Sequence, residues 1–263
     1  MNLDLISFTV TAPGAAITNA TVLAGDPASV RNGRADASIR LLASWTKSQL
    51  AGRTQIVFPS GNDQTRNITF RNVANQPDNK MPLGMPQIMQ PQDPITVGNI
   101  GSVTAGDIET THLLFHYEDL PGIGGRLLMP DEVISRGVRQ VTIEDTVTAT
   151  VGGTYSGARA WNANVALLRA NTDYAVIGAV VGVTCGALTI RGTDSGGLRC
   201  AIPGLSGDAN ITVQWFRTLA DYYGIPTIPV FNSANAAAIF TEVVQDENLT
   251  AVPFSLCLVE LAP

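Results

Sequence analysis

Two stretches of this chain, GMPQIM (84–89) and GIPTIP (224–229), share one pattern: glycine, apolar, proline, polar, isoleucine, apolar. Proline lacks a backbone donor and clashes with the preceding helical turn, so neither stretch fits a helix interior. Each reads as an extended lead-in to a strand, with its proline at an edge or a strand start. The echo extends both ways. NITF at Asn67 precedes the first stretch, and NITV at Asn210 precedes the second. LLFHYEDL closes the first at Leu120, and FSLCLVEL closes the second at Leu261. Upstream, AGRTQIVFPSG (51–61) lies over CGALTIRGTDS (185–195), and in the same register RLLASW lies over YAVIGA. These landmarks recur in one order, at offsets of 134, 143, 140 and 141. Such self-similarity predicts an internally repeated β-unit.

The remaining pattern is strand-like. Short runs rich in Val, Ile, Thr and Phe, among them LISFTVTA, TQIVF, HLLFHYEDL, RQVTIEDTVTATV, DYAVIGAVVGV, ALTIRG, NITVQWF and IFTEVV, are bounded by Gly, Pro, Asn and Asp. Many short strands at this spacing point to β-sandwiches or barrels. Helical signal is thin. PDEVISRG (130–137) has Pro and acids early, Arg late and Gly after the end, a start-and-stop signature. QWFRTLADYY (214–223) sets Trp215, Leu219 and Tyr222 on one helical face. The Gly-rich PGIGG and the short helix divide the repeat. The expected fold class is all-β: two tandem eight-stranded jelly-roll β-sandwiches, residues 1–124 and 138–263, joined by a helix-containing linker at 125–137.

Composition excludes several classes. Hydrophobic residues make up 45% and charged residues 14%, against about 25% charged in ordinary domains. A surface so poor in charge suggests faces covered by other copies. The net charge is −6, and no cluster of Lys and Arg exceeds two adjacent residues, which argues against direct binding to a phosphate backbone. No basic-then-apolar leader is visible in MNLDLISFTV. The most apolar stretch, around Tyr174–Val183, is short for a membrane span and is broken by Gly178 and Gly182. Cys185, Cys200 and Cys257 cannot all pair within one chain, and they read as buried free thiols. The N-x-T sites at Asn19, Asn67, Asn210 and Asn248 read as turn and strand-edge residues.

Candidate chemistry is sparse. TDSGG (193–197) resembles the nucleophile loop of trypsin-like serine proteases, with Ser195 as the nucleophile. Thr193 and Leu198 depart from that pattern, and neither His112 nor His116 has the expected cysteine after it; a turn between two strands is the plainer reading. His112, His116 and Glu118 share strand parity, a zinc-like set. Four residues of strand span roughly 13 Å, too far for one ion; polar positions on an outer or inter-subunit face fit better. GIGG (122–125) lacks a phosphate-loop context. The adjacent acids Asp131–Glu132 and Glu118–Asp119 point apart. Trp45, Trp161 and Trp215 are scattered, and read as core or interface anchors. The expectation is no catalytic, cofactor-binding or metal-ligating residue, and no cofactor.

Two jelly rolls joined by a short helical linker resemble the double jelly-roll major capsid proteins of tailless icosahedral bacteriophages and related viruses. The second half carries the likeness most plainly, in DYAVIGAVVGVTCGALTIRG, then GIPTIPVF, then FSLCLVEL. The resemblance covers the chain at the level of architecture and rests on no diagnostic motif. It implies a structural, non-enzymatic subunit whose trimers form pseudo-hexagonal bricks of an icosahedral shell. It further implies synthesis in a host cytoplasm and residence in the virion. The implied partners are further copies of the chain and minor capsid or vertex proteins, with an internal membrane left open. A receptor-binding or carbohydrate-binding β-sandwich stands as the alternative, and a trypsin-like serine hydrolase as a distant one.

Overall fold

Alternating side chains and frequent turn residues give antiparallel sheets throughout the computed structural model, which describes residues 1–34, 36–59, 68–72, 82–182, 185–204 and 212–263. The first half supplies β1 (Asn2–Thr11), β2 (Thr18–Asn19), β3 (Thr21–Val22), β4 (Ile39–Lys47), β5 (Gly52–Val57), β6 (Ile68–Asn72), β7 (Pro82–Met89), β8 (Thr96–Ile100) and β9 (Ile108–Tyr117). They pair as two sheets, ordered β3-β1-β9-β4-β7 and β2-β8-β5-β6. The second half supplies β10 (Leu127–Leu128), β11 (Gly137–Thr150), β12 (Arg159–Ala160), β13 (Asp173–Val181), β14 (Cys185–Arg191), β15 (Cys200–Pro203), β16 (Ile228–Asn232), β17 (Phe240–Gln245) and β18 (Leu249–Leu261). Their orders are β10-β16-β13-β18-β11 and β12-β17-β14-β15.

The repeated stretches fall at matching places in these orders. RLLASW and YAVIGA lie in β4 and β13, each beside the closing strand of its half. AGRTQIVF and CGALTIRG form β5 and β14. GMPQIM lies in β7 and GIPTIP leads into β16, both toward the edge of their sheets. The NIT landmark does not match. In the first half Ile68 opens β6. In the second half Thr212 and Val213 are helical, while Asn210 and Ile211 lie outside the described residues. The strand corresponding to β6 is β15, from CAIP. The described part of NITVQWF, Thr212–Phe216, is therefore not a strand. A short apolar run fits a helix start as well as a strand, and the helix won because its apolar face is buried. Gly178 accommodates the crossing, since a Cβ there would sit 2.2 Å from the Thr212 carbonyl oxygen. The polar stretch RNVANQPDNK (71–80) lies mostly outside the described residues.

Among the described residues, two named α-helices connect strands. Helix α1 (Pro130–Arg136) begins with Pro at the first turn, and Glu132 Oε2 accepts from the Met129 N–H at 2.8 Å. Its Arg136 donates to the Ala262 carbonyl at 3.0 Å, tying the helix to the chain end. Helix α2 (Trp215–Tyr223) buries Trp215, Phe216, Leu219 and Ala220, and Gly224 ends it in the left-handed region at φ 65°. The segment before α1 is not a free connector: its Leu127 and Leu128 pair with Pro229 and Ile228 of β16.

Side chains in the first half split by parity. Ile6, Phe8, Leu41, Leu113, Phe115 and Tyr117 fill the space between its two sheets. Leu3, Leu5, Leu42, Trp45 and Leu114 point the other way, into one apolar cluster with the second half. The outward face of the β1-β9-β4 sheet is thus buried against β14, β15 and α2. Among the described residues no helix is long and apolar enough to cross a membrane.

Candidate functional site

The residues flagged by sequence do not gather at one catalytic point. Thr193–Ser195 form a 3-10 turn, followed by Gly196 and Gly197 at φ 63° and 80°. Ser195 Oγ is buried and lies 2.8 Å from the Leu198 carbonyl and 3.1 Å from the Gly192 N–H. His112 Nδ1 lies 2.9 Å from Ser7 Oγ, and its Nε2 lies 3.1 Å from Thr110 Oγ1. Neither contact reaches Ser195. TDSGG is the turn that its Gly and Asp content suggested. His112 and His116 are buried, 0% and 1% exposed, at the joint between the two halves and not on an outer or inter-subunit face. Glu118 is separate and accepts from the Ser38 hydroxyl at 2.6 Å. Among the described residues no cluster of His, Cys, Asp and Glu has the makings of a metal site. Cys185, Cys200 and Cys257 are free thiols; the first two are buried and the third half-buried.

The joint brings together side chains distant in sequence. Trp45 and Trp215, distant in sequence, meet edge to face with ring centroids 5.9 Å apart. Trp45 Nε1 donates to the Gly186 carbonyl at 2.8 Å, and the His112 ring lies 5.4 Å from the indole. Gly186 permits this approach, because a Cβ there would lie 2.8 Å from His112 Nε2. Tyr223 Oη donates to the Leu42 carbonyl. The third tryptophan, Trp161, packs against Phe231 in the second half, with ring centroids 5.6 Å apart and planes tilted by 55°.

Charged groups flank this apolar centre. Arg199 reaches Asp26 in the first half and Glu242 in the second, each at 3.1 Å, with its guanidinium over the Tyr155 ring at 3.9 Å. Tyr155 Oη donates to Asp26 Oδ2 at 2.7 Å. Burial pushes the Asp26 carboxyl up to about 6, against the pull of the Tyr155 hydrogen bond, the Ser7 N–H and the Arg199 charge. Burial holds the imidazoles neutral, lowering His112 to about 3 and His116 to about 4. Lys47 and Asp246 form a second cross-joint pair, 3.5 Å apart.

The corresponding outward face of the second half is open. There β11, β18 and β13, with α1 and the start of α2, line a groove of about 480 Å³. Ile134, Val138, Ile177, Cys257 and Val259 give it apolar walls, and Gln140 and Arg217 give it polar points. Val138 and Ile134 are 54% and 65% exposed. Among the described residues, none that lines the groove is aromatic. The second sheet of the first half also shows an open face, where Arg53, Thr69, Arg71 and Thr96 are exposed. Parity identified outward positions in the sequence, but nothing local revealed that one such face is covered by the chain itself.

No protein-family model matches the chain, and no curated protein matches it in sequence. Among solved structures it is similar to the crystal structure of the PBSX exported protein XepA, at 9% identity and a TM-score of 0.27, covering 97% of this chain and 86% of that one. It is also similar to the crystal structure of the STIV MCP, at 6% identity and a TM-score of 0.22, covering 100% of this chain and 98% of that one. Both TM-scores are low, and the strand order stands on its own.

Proposed function

We propose that the chain is a structural virion protein, a major capsid subunit built of two tandem jelly rolls. The units are residues 1–124 and 138–263, with 125–137 between them. The observation that carries this reading is the strand order. In a jelly roll whose strands are lettered in chain order, one sheet runs B-I-D-G and the other C-H-E-F. The orders β1-β9-β4-β7 with β2-β8-β5-β6, and β11-β18-β13-β16 with β12-β17-β14-β15, fit that scheme twice. β3 and β10 are two-residue additions at sheet edges.

The joint supports assembly. Within one chain, the first sheet of one unit meets the second sheet of the other. Each chain therefore keeps one uncovered face of each kind, and such heterologous surfaces close into rings or propagate. Three chains, each with two similar units, approximate sixfold symmetry, the pseudo-hexagonal trimer of a shell. Copies of the chain are the principal partners in this reading, with minor capsid or vertex proteins beside them, and no catalytic role is included. The carbohydrate-binding alternative needs a platform for sugar rings, and the described residues that line the groove include no aromatic to supply one. Electron microscopy and sedimentation of the purified chain test the proposal. Trimers of hexagonal outline or closed particles are expected; a monomer at every concentration and salt condition would overturn it.

A further inference from the structure

Lys47 and Asp246 come from opposite halves and meet where water has little access. Lys47 ends β4, paired with Thr110 of β9. Asp246 follows β17, whose last residue Gln245 pairs with Cys185. Both side chains are 3% exposed, and Lys47 Nζ stands 3.5 Å from Asp246 Oδ2. The Lys47 stem lies along β14, where a Cβ on Gly186 would sit 3.3 Å from Lys47 Cβ.

As an ion pair this arrangement is poor. A buried pair offsets its desolvation only with close geometry and further hydrogen bonds on the remaining lone pairs. Here the separation is long, and Asp246 Oδ1 is buried with no hydrogen-bond partner among the described residues. Loose fit is not general at the joint, since Arg199 meets both of its carboxylates at 3.1 Å. Burial raises the Asp246 carboxyl above its ordinary range; Lys47 pulls it back, and the charge of Glu247 adds to the rise. The other titratable neighbour is Cys185, whose buried thiol is pushed up by burial and feels both charges.

We propose that Lys47 and Asp246 become joined by an isopeptide bond, a covalent clasp between the two halves of the chain. The reaction balances within the pair. Nζ passes one proton to Oδ2, leaving an amine facing a carboxylic acid. The amine lone pair bonds to Cγ, a second Nζ proton follows the departing oxygen, and one water leaves. No oxidant or co-reactant enters. The product is a neutral amide in place of two buried charges, which removes the desolvation cost of both ions. The clasp does not depend on the shell-subunit reading.

Mass spectrometry of the full-length chain, unfolded in denaturant, tests it. The expected mass is one water below that of the sequence. Trypsin leaves the bond after Lys47 uncut, and fragmentation finds a branched peptide joining the Lys47 and Asp246 segments. Lys47→Arg keeps the positive charge but has no primary amine, so that chain shows its full sequence mass. A wild-type chain at full mass, cleaved normally after Lys47, overturns the proposal. Loss of water without a branched peptide, as an aspartyl succinimide would give, overturns it equally. The wild-type measurement decides alone, so a variant that fails to fold does not blunt the test.

Discussion

The outward faces of β1-β9 and β11-β18 occupy the same place in their respective halves, yet they carry different residues. Register makes the match: Leu3 sits opposite His116, and Thr142 sits opposite Cys257. Two steps along, Leu5 opposes Leu114, while Glu144 opposes Ser255. Two more steps give Ser7 with His112, and Thr146 with Pro253. Where the face is covered by its own chain, leucines and neutral imidazoles fill it. Where it is open, Thr, Glu, Ser and Pro replace them, and apolar side chains persist mainly around Val138, Ile177 and Val259. One backbone arrangement thus supports either a face buried within the chain or one left exposed to solvent. A face used after folding keeps about the polarity of ordinary surface, with apolar area concentrated at its centre.

The largest expected break in this comparison is Trp45→Ala. The side chain is wholly buried and anchors the joint through Trp215 and the Gly186 carbonyl. Its removal is expected to cost about 3–5 kcal/mol, read from denaturant unfolding. A loss no larger than that of a surface substitution would mean that the joint contributes little to folding.

Acidity separates the two faces by a smaller amount. His112 and His116, held neutral with pKa values near 3 and 4, take up protons only in the unfolded chain as pH falls below the ordinary imidazole value. Their contribution is therefore present at neutral pH and lost as pH falls from about 6.5 to about 4 for His116 and about 3 for His112. Asp26, at about 6, and Glu109, which burial raises to about 7, work in the opposite direction. Folded, they bind protons earlier than the unfolded carboxylates do, so their share of stability grows as pH falls through 7 and 6 toward 4. The opposed terms give the parent a shallow dependence across this window. His112→Leu removes one of the two losing terms. Relative to its own neutral-pH value, that variant should hold stability better at pH 4–5 than the parent, as read from unfolding free energy against pH. A steeper acid loss in the variant would refute the assignment.

The smallest effect on folding belongs to Val138→Glu on the open face. It should change unfolding free energy by less than about 0.5 kcal/mol, as exposed substitutions do, yet reduce self-association in sedimentation. If association is unchanged, the groove is not the contact between copies.

Much of the architecture was legible because proline and glycine fix backbone options locally. GMPQIM and GIPTIP marked corresponding strands, and PDEVISRG carried its own start and stop. NITV misled, since four residues of mixed propensity do not distinguish a strand from the entry to α2, whose buried Trp215 and Phe216 decide the matter. The joint was not legible. Parity placed His112 and His116 on one face, but which face is covered depends on contacts between residues more than a hundred positions apart, such as Trp45 with Gly186. The pairing of Lys47 with Asp246 was hidden for the same reason.

The strand that completes each half, β9 or β18, lies in the middle of its sheet and not at an edge. Residue 2 pairs with residue 117, and residue 137 with residue 261. During translation, neither sheet can zip until its final strand slots between two that are already made. The first unit then waits, with Trp45 and its leucines facing solvent, until the ribosome has supplied Gly186 and Trp215. At roughly 5–20 residues per second that delay is on the order of ten seconds. For that interval the nascent chain exposes an apolar surface that the mature molecule buries.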